Sequence, residues 1–242
     1  DHKSSRGLGD VYKRQSKFWP GPLTLILKKK KNSKISKLVS NNSTLVGCRI
    51  PSNKLAKKLI TLFDLPIAAP SANLSERTSV TNIMDIDPIL VKKIFVLKDK
   101  QSSHGLESTV VRIDTNNEIE VLRYGSITVE ELNKYAKVKI KKKSSISPGN
   151  LKKHYSTLKP IRMNAKRILK NEGLLNFGNN KLKSKIINLN LSNKKNLNEA
   201  AKNFYHYLHK LDQSRCKKIA VVEIPDKGLG KTINDRLRRA IK

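Results

Sequence analysis

Cysteine is nearly absent: Cys48 and Cys216 are the only two in 242 residues, far apart and outside any His or Cys cluster. That excludes a disulfide framework and a thiolate zinc site, and two reduced, buried thiols are expected. The five histidines form no metal-ligand pattern, so no protein-bound metal is expected. No apolar run approaches the roughly 20 residues of a membrane helix, and no charged-then-apolar leader precedes a small-residue cleavage site. A soluble, cytoplasmic protein without a membrane partner is the expectation. Paired carboxylates at acid-base spacing and a serine nucleophile elbow are also missing, which disfavours covalent and metallohydrolase mechanisms.

Acidic residues are scarce too. Nineteen Asp and Glu face 51 Lys and Arg, a formal net charge of +32. The basic residues are mostly lysine, dispersed among Asn and Ile, and AT-rich codons specify all three. Two readings stay open: codon composition loading solvated faces with lysine, and a surface that meets RNA or an acidic partner. Lys28 to Lys31 and Lys141 to Lys143 carry no interleaved aromatics, so base stacking is not indicated.

The hydrophobic content of 37% supports a real core in one large or two smaller domains. Ser5 to Gln15 resembles the translation of a sequencing adapter, and Asp1 to Gln15 is set aside from fold reasoning. From Ser16 the pattern predicts strands at Leu23–Lys28, Thr44–Ile50, Lys93–Leu97, Ser108–Asp114 and Glu118–Arg123, with a buried strand before Ser71. It predicts helices at Asn53–Phe63, capped by Ser52 or Asn53, and at Val129–Lys137, entered through Thr128. Lys141–Pro160 lacks periodicity and reads as a linker. Beyond it come strands at Gly173–Phe177, Lys185–Leu189 and Lys218–Ile224 and a helix at Asn196–Leu211, a β-α-β order implying a small parallel sheet. Gly228 to Thr232 fails as a P-loop, because Pro225 stands where that motif needs glycine; a glycine turn into a final helix is expected.

The candidate chemistry lies in small-residue loops at strand ends: Pro20 to Thr24, Pro70 to Ser75, His104 to Thr109 and Ser147 to Tyr155. Pro66 to Thr81 turns abruptly from apolar to small and polar, which suits a phosphate-bearing ligand and also suits ordinary turns. Arg49 and Arg123 end two strands, where each could clamp a carboxylate or phosphate or pair with a surface acid.

FWPGPLTLIL from Phe18, VGCRIP from Val46, PIAAPSANLS from Pro66, HGLESTVV from His104 and SPGNLKKHY from Ser147 resemble, in order, the threonylcarbamoyl-AMP synthase family. The tail GLGKTINDRLRRAI resembles the end of the C-terminal domain of its longer members. The fold this resemblance implies is α/β: a YrdC-like twisted mixed sheet with helices at 16–140, a linker and active-site lid at 141–160, and a small Rossmann-like parallel α/β domain at 161–242.

The activity it implies is nucleotidyl transfer. L-threonine, bicarbonate and ATP with magnesium give threonylcarbamoyl-AMP and pyrophosphate, for threonylcarbamoyladenosine modification at position 37 of tRNA. By the same resemblance Arg49, Ala69 and Ser108 bind threonine, while Ser71, Ser79, Arg123 and Tyr155 contact ATP. Transfer RNA or a tRNA-modifying enzyme is the implied partner, and a non-enzymatic, basic double-stranded RNA-binding module of the same fold is the competing reading. Leu45, Glu76, Thr78 and Val80 depart from the family pattern. The family's N-terminal strand and Lys-x-Arg motif are not found, which implies a truncated and inactive chain.

Overall fold

The computed structural model describes residues 17–97, 99, 102–114, 118–140 and 155–241. Residues 1–16 and most of the expected linker, 141–154, lie outside this set. The described residues form two compact units, one from 17–70 with 108–140 and the other from 71–107 with 155–241. Contacts thus group the segment 71–107, which lies inside the 16–140 stretch along the chain, with the C-terminal half.

In the N-terminal unit, strands β1 (Leu23–Lys28), β2 (Leu45–Cys48), β3 (Thr109–Ile113), β4 (Ile119–Arg123) and β5 (Val138–Ile140) form one sheet in the order β2-β1-β3-β4-β5. Pairing is antiparallel for β1 with β2 and for β3 with β4, and parallel for β1 with β3 and for β4 with β5, so the sheet is mixed as expected. Alternation sorts its two faces. Leu23, Leu25, Val111, Ile119 and Val121 pack with Ile127 and Leu132 on one side, while Ile26, Val110 and Leu122 pack on the other. Thr109 closes the first layer: its buried hydroxyl donates to the Ile127 carbonyl at 2.7 Å and accepts from the Ile127 N–H at 2.9 Å.

Helix α1 (Lys54–Phe63) begins where Asn53 Oδ1 accepts from the Ala56 N–H at 2.8 Å, and it ends at Asp64 with φ 52°. The short α3 (Val129–Asn133) carries the full capping box from Thr128 and Glu131 and stops four residues short of the expected end.

Two expected strands are absent. Pro66 to Pro70 is irregular and exposed, with Ile67 41% accessible, because no described strand offers it a ladder. Ile94 to Leu97 is irregular as well, and Phe95 is 89% exposed. An apolar run signals burial only when a layer exists to cover it.

In the C-terminal unit, β6 (Ile161–Arg162), β7 (Glu172–Asn176), β8 (Asn188–Asn190) and β9 (Lys218–Val221) pair all-parallel in the order β6-β9-β7-β8. Helices α4 (Leu197–Gln213) and α5 (Leu229–Ala240) supply Phe204, Leu208, Leu211, Ile233 and Leu237 to its core. The turn before α5 is made by Gly228 at φ 50°, the expected glycine entry. The segment 71–107 contributes a 3₁₀ turn at Ile83–Asp85 and the one-turn helix α2 (Pro88–Val91).

Glu172, almost fully buried, accepts from Arg162 Nε at 2.9 Å and Nη2 at 2.6 Å and from the Leu169 N–H at 2.8 Å. The Arg162 hydrogen bonds outweigh desolvation and hold the Glu172 carboxyl below the usual carboxylate range. A carboxyl depressed in the folded state stabilises above its unfolded pKa of about 4.3, and that contribution is lost as pH falls through the lower folded value. Glu172→Gln should therefore flatten the acid limb of stability against pH, read as urea midpoints between about pH 6 and pH 3. An unchanged acid limb would assign the acid sensitivity elsewhere.

Candidate functional site

The N-terminal unit brings three of the expected residues together. Ser108 is buried at the entrance to β3, where its Oγ lies 2.7 Å from Thr24 Oγ1 on the neighbouring parallel strand. Arg123, the last residue of β4, donates from Nη2 to the Ser108 carbonyl at 2.9 Å and to its Oγ at 3.2 Å. Ser108 Oγ accepts from Arg123, and the hydrogen between Ser108 and Thr24 can sit on either hydroxyl, so the pair has one hydroxyl hydrogen to turn toward an incoming acceptor. Arg49 follows β2, exposed, and among the described residues no carboxylate pairs with it. Desolvation and then repulsion from the Arg123 guanidinium lower its pKa from the ordinary value. Two guanidiniums held within electrostatic reach repel each other, and an anion beside them relieves that cost. Ala69 is exposed in the irregular stretch after α1.

The other expected residues belong to the C-terminal unit. Ser71 is exposed and Ser79 half-buried. Asn73 Oδ1, between them, and Thr81 Oγ1, two residues beyond Ser79, are buried without a hydrogen-bond partner among the described residues. Each such orphan costs about 1–3 kcal/mol unless a ligand or water meets it. Ser79 donates its hydroxyl to Glu107 Oε1 in a short hydrogen bond. Glu107 also accepts from Tyr205 Oη at 2.6 Å and from Arg236 Nε at 3.1 Å.

Tyr155 is 2% exposed, with φ 69°, and the Arg236 guanidinium stands 4.5 Å from its ring centroid. One network thus runs from Ser79 through Glu107 and Arg236 to Tyr155. Burial alone would lower the Arg236 pKa, but Glu107 and its other neighbours reverse this and raise it above the ordinary value. Burial, and then Glu107, push the Tyr205 hydroxyl well above its usual range.

Thr24, Glu107, Tyr205 and Arg236 carry no assignment from sequence. Thr24 and Glu107 stood inside loops singled out for their small residues, so position signalled them but chemistry did not. Tyr205 falls inside the expected helix at Asn196–Leu211 and Arg236 inside the expected final helix, and neither was singled out there.

Residues 9–125 match the family model described as Telomere recombination (Sua5_yciO_yrdC), and residues 127–241 match that of the threonylcarbamoyl-AMP synthase C-terminal domain. The chain is 27% identical to threonylcarbamoyl-AMP synthase of Pyrococcus abyssi, covering 93% of this chain and 71% of that protein. It is 30% identical to the Bacillus subtilis threonylcarbamoyl-AMP synthase, covering 93% and 70%. The crystal structure of P. abyssi Sua5 complexed with L-threonine superposes with a TM-score of 0.83 at 25% identity, over 96% of this chain and 74% of that one. Two consecutive family matches, near-complete alignment to these relatives and a shared fold lead to one conclusion: the chain belongs to the threonylcarbamoyl-AMP synthase family.

Proposed function

We propose that this chain binds L-threonine and magnesium-ATP and joins them through bicarbonate into threonylcarbamoyl-AMP. The threonine amine and bicarbonate condense to a carbamate with loss of water. A carbamate oxygen attacks the α-phosphorus, and the bond to the β-phosphate breaks, releasing pyrophosphate with its electron pair. The protein's task is to orient two polar reactants and stabilise developing negative charge, which needs no enzyme nucleophile.

The observation that carries this reading is the Thr24–Ser108–Arg123 hydrogen-bond chain beside Arg49. Arg49 takes the threonine carboxylate, Ser108 hydrogen-bonds the same substrate, and Ala69 lines the pocket. Arg123 meets the phosphate or ribose side of ATP, and Ser71 and Ser79 contact the nucleotide. Because the Ser79 hydrogen is spent on Glu107, its oxygen is offered as an acceptor. That favours a donor such as the adenine amine or a ribose hydroxyl over a phosphate oxygen. Tyr155 closes over the nucleotide as part of the lid, which requires its ring to leave the Arg236 guanidinium.

The product serves tRNA modification in the cytoplasm in this reading, and the +32 charge is compatible with a surface that meets RNA. No described helix is long and apolar enough to cross a membrane.

Arg49→Ala should weaken L-threonine binding, measured by titration calorimetry, by about 10- to 100-fold, the worth of a charge-assisted hydrogen-bond pair. Equal affinity in the two proteins, or no threonine binding by the unmutated chain, would overturn the assignment.

A further inference from the structure

The segment 71–97 has no ladder of its own. Among its described residues regular structure amounts to the 3₁₀ turn at Ile83–Asp85 and the single-turn α2, while Met84 and Phe95 are 81% and 89% exposed. Yet Thr78 is buried at 4% accessibility, and the side chain of Asp85 is 5% exposed. What holds these two is a pair of histidines three residues apart on α4, hence on one helix face.

His209 Nε2 lies 3.2 Å from the Ser79 carbonyl and 3.2 Å from Thr78 Oγ1. The carbonyl can only accept, so Nε2 carries the hydrogen and donates. His206 Nδ1 lies 2.9 Å from Asp85 Oδ2 and 3.2 Å from Oδ1, meeting a carboxylate that is otherwise shut away from water. On the near side the Ser156 N–H donates to the Glu76 carbonyl at 2.8 Å, and Arg77 bridges Ser156. Ser79 is therefore pinned twice, by its carbonyl to α4 and by its hydroxyl to Glu107.

We propose that α4 positions the nucleotide-contacting strap, with His206 and His209 as positioning residues for Ser79. The inference rests on the reading of Ser79 as an ATP contact. A strap ordered before ligand arrives spares the bound state the cost of immobilising it, and releasing the strap returns that cost as lost affinity. The C-terminal unit is by this account part of the nucleotide-binding machinery. Threonine, bound through Arg49 and Ser108 of the other unit, gains nothing from the anchors.

The test uses the full chain carrying His206→Ala and His209→Ala together, with His209→Ala alone as the milder variant. Amide exchange, measured without nucleotide, should accelerate about tenfold or more over residues 76–86 while β7 and β9 keep their protection. The dissociation constant for ATP should rise about five- to thirtyfold, and that for L-threonine should stay within about twofold. His206→Asn with His209→Gln, whose amides place an N–H near Nδ1 and Nε2, should restore both readouts. Unchanged exchange in the strap, or a released strap with unchanged ATP affinity, overturns the inference. Absence of ATP binding by the unmutated chain sinks the Ser79 reading itself and takes the inference with it, a failure visible apart from the exchange data.

Discussion

Replacing Arg236 with methionine is expected to cost the C-terminal unit about 3–5 kcal/mol, the characteristic loss when one partner of a buried ion pair is removed. The Arg236 side chain is 1% exposed and that of Glu107 16%. Its guanidinium meets Glu107 at 3.1 Å, Asp235 at 2.5 Å and the face of Tyr155 at 4.5 Å. Methionine fills most of the volume, so the loss is electrostatic: the Glu107 carboxylate would keep only the Ser79 and Tyr205 hydroxyls among these partners. Burial favours the neutral form of an acid left in that state.

A double-mutant cycle separates the pair from its surroundings. Glu107→Gln with Arg236→Met should recover a large part of the loss, since an uncharged pair no longer needs the cation. Urea unfolding followed by far-UV circular dichroism supplies the numbers. A penalty below about 1 kcal/mol for Arg236→Met would place the pair among the weak surface bridges and remove the electrostatic account.

Periodicity made the local elements readable. Leu23–Lys28 alternates, Asn53 and Thr128 cap, and Asn196 opens the longest helix by accepting from the Asn198 and Glu199 N–H groups. Each of these signals is contained within a few residues of chain. What periodicity does not encode is the identity of the covering layer. Pro66 to Pro70 is apolar enough for a central strand and lies exposed among the described residues, because a ladder is a property of two segments. The same reason hid β6, a two-residue strand defined only by its pairing with β9.

For the site, strand-end positions of Arg49, Ser108 and Arg123 were legible because small residues and arginines interrupt the alternation there. The partnership of Glu107 with Arg236 spans 129 positions, and no local pattern reports it. The grouping of 71–107 with the C-terminal half was hidden likewise, since its anchors join residues far apart along the chain: Asp85 and Ser79 to His206 and His209, Glu107 to Tyr205 and Arg236, and Leu106 within the C-terminal core.

Gly105 gives the other large expected effect. It sits two residues before Glu107 at φ +67°, and a Cβ added there would lie 2.2 Å from the Ala201 carbonyl oxygen and 2.4 Å from the Lys202 Cα. Both obstacles are backbone of α4, so no rotamer change relieves them. Gly105→Ala combines a left-handed backbone cost of about 1–2 kcal/mol with overpacking of about 1–3 kcal/mol, a total of about 2–5 kcal/mol.

Gly228→Ala is the control, because φ there is +50° and the added Cβ would meet only Leu197 Cδ1 at 3.9 Å. It should show backbone strain without the clash. Because Gly228 has ψ −133°, outside the left-handed helical well, the clash at Gly105 is read from its local effect rather than from a difference of the two unfolding free energies. Any relief of the clash must move the 104–107 loop away from α4, and that loop carries the carboxylate shared by Ser79, Tyr205 and Arg236. Gly105→Ala should accordingly loosen the strap as well, with faster amide exchange at Thr78 and Ser79, whereas Gly228→Ala leaves those amides protected. Equally fast exchange at Thr78 and Ser79 in the two variants would show that backbone strain, and not the close approach of the loop to α4, is what loosens the strap.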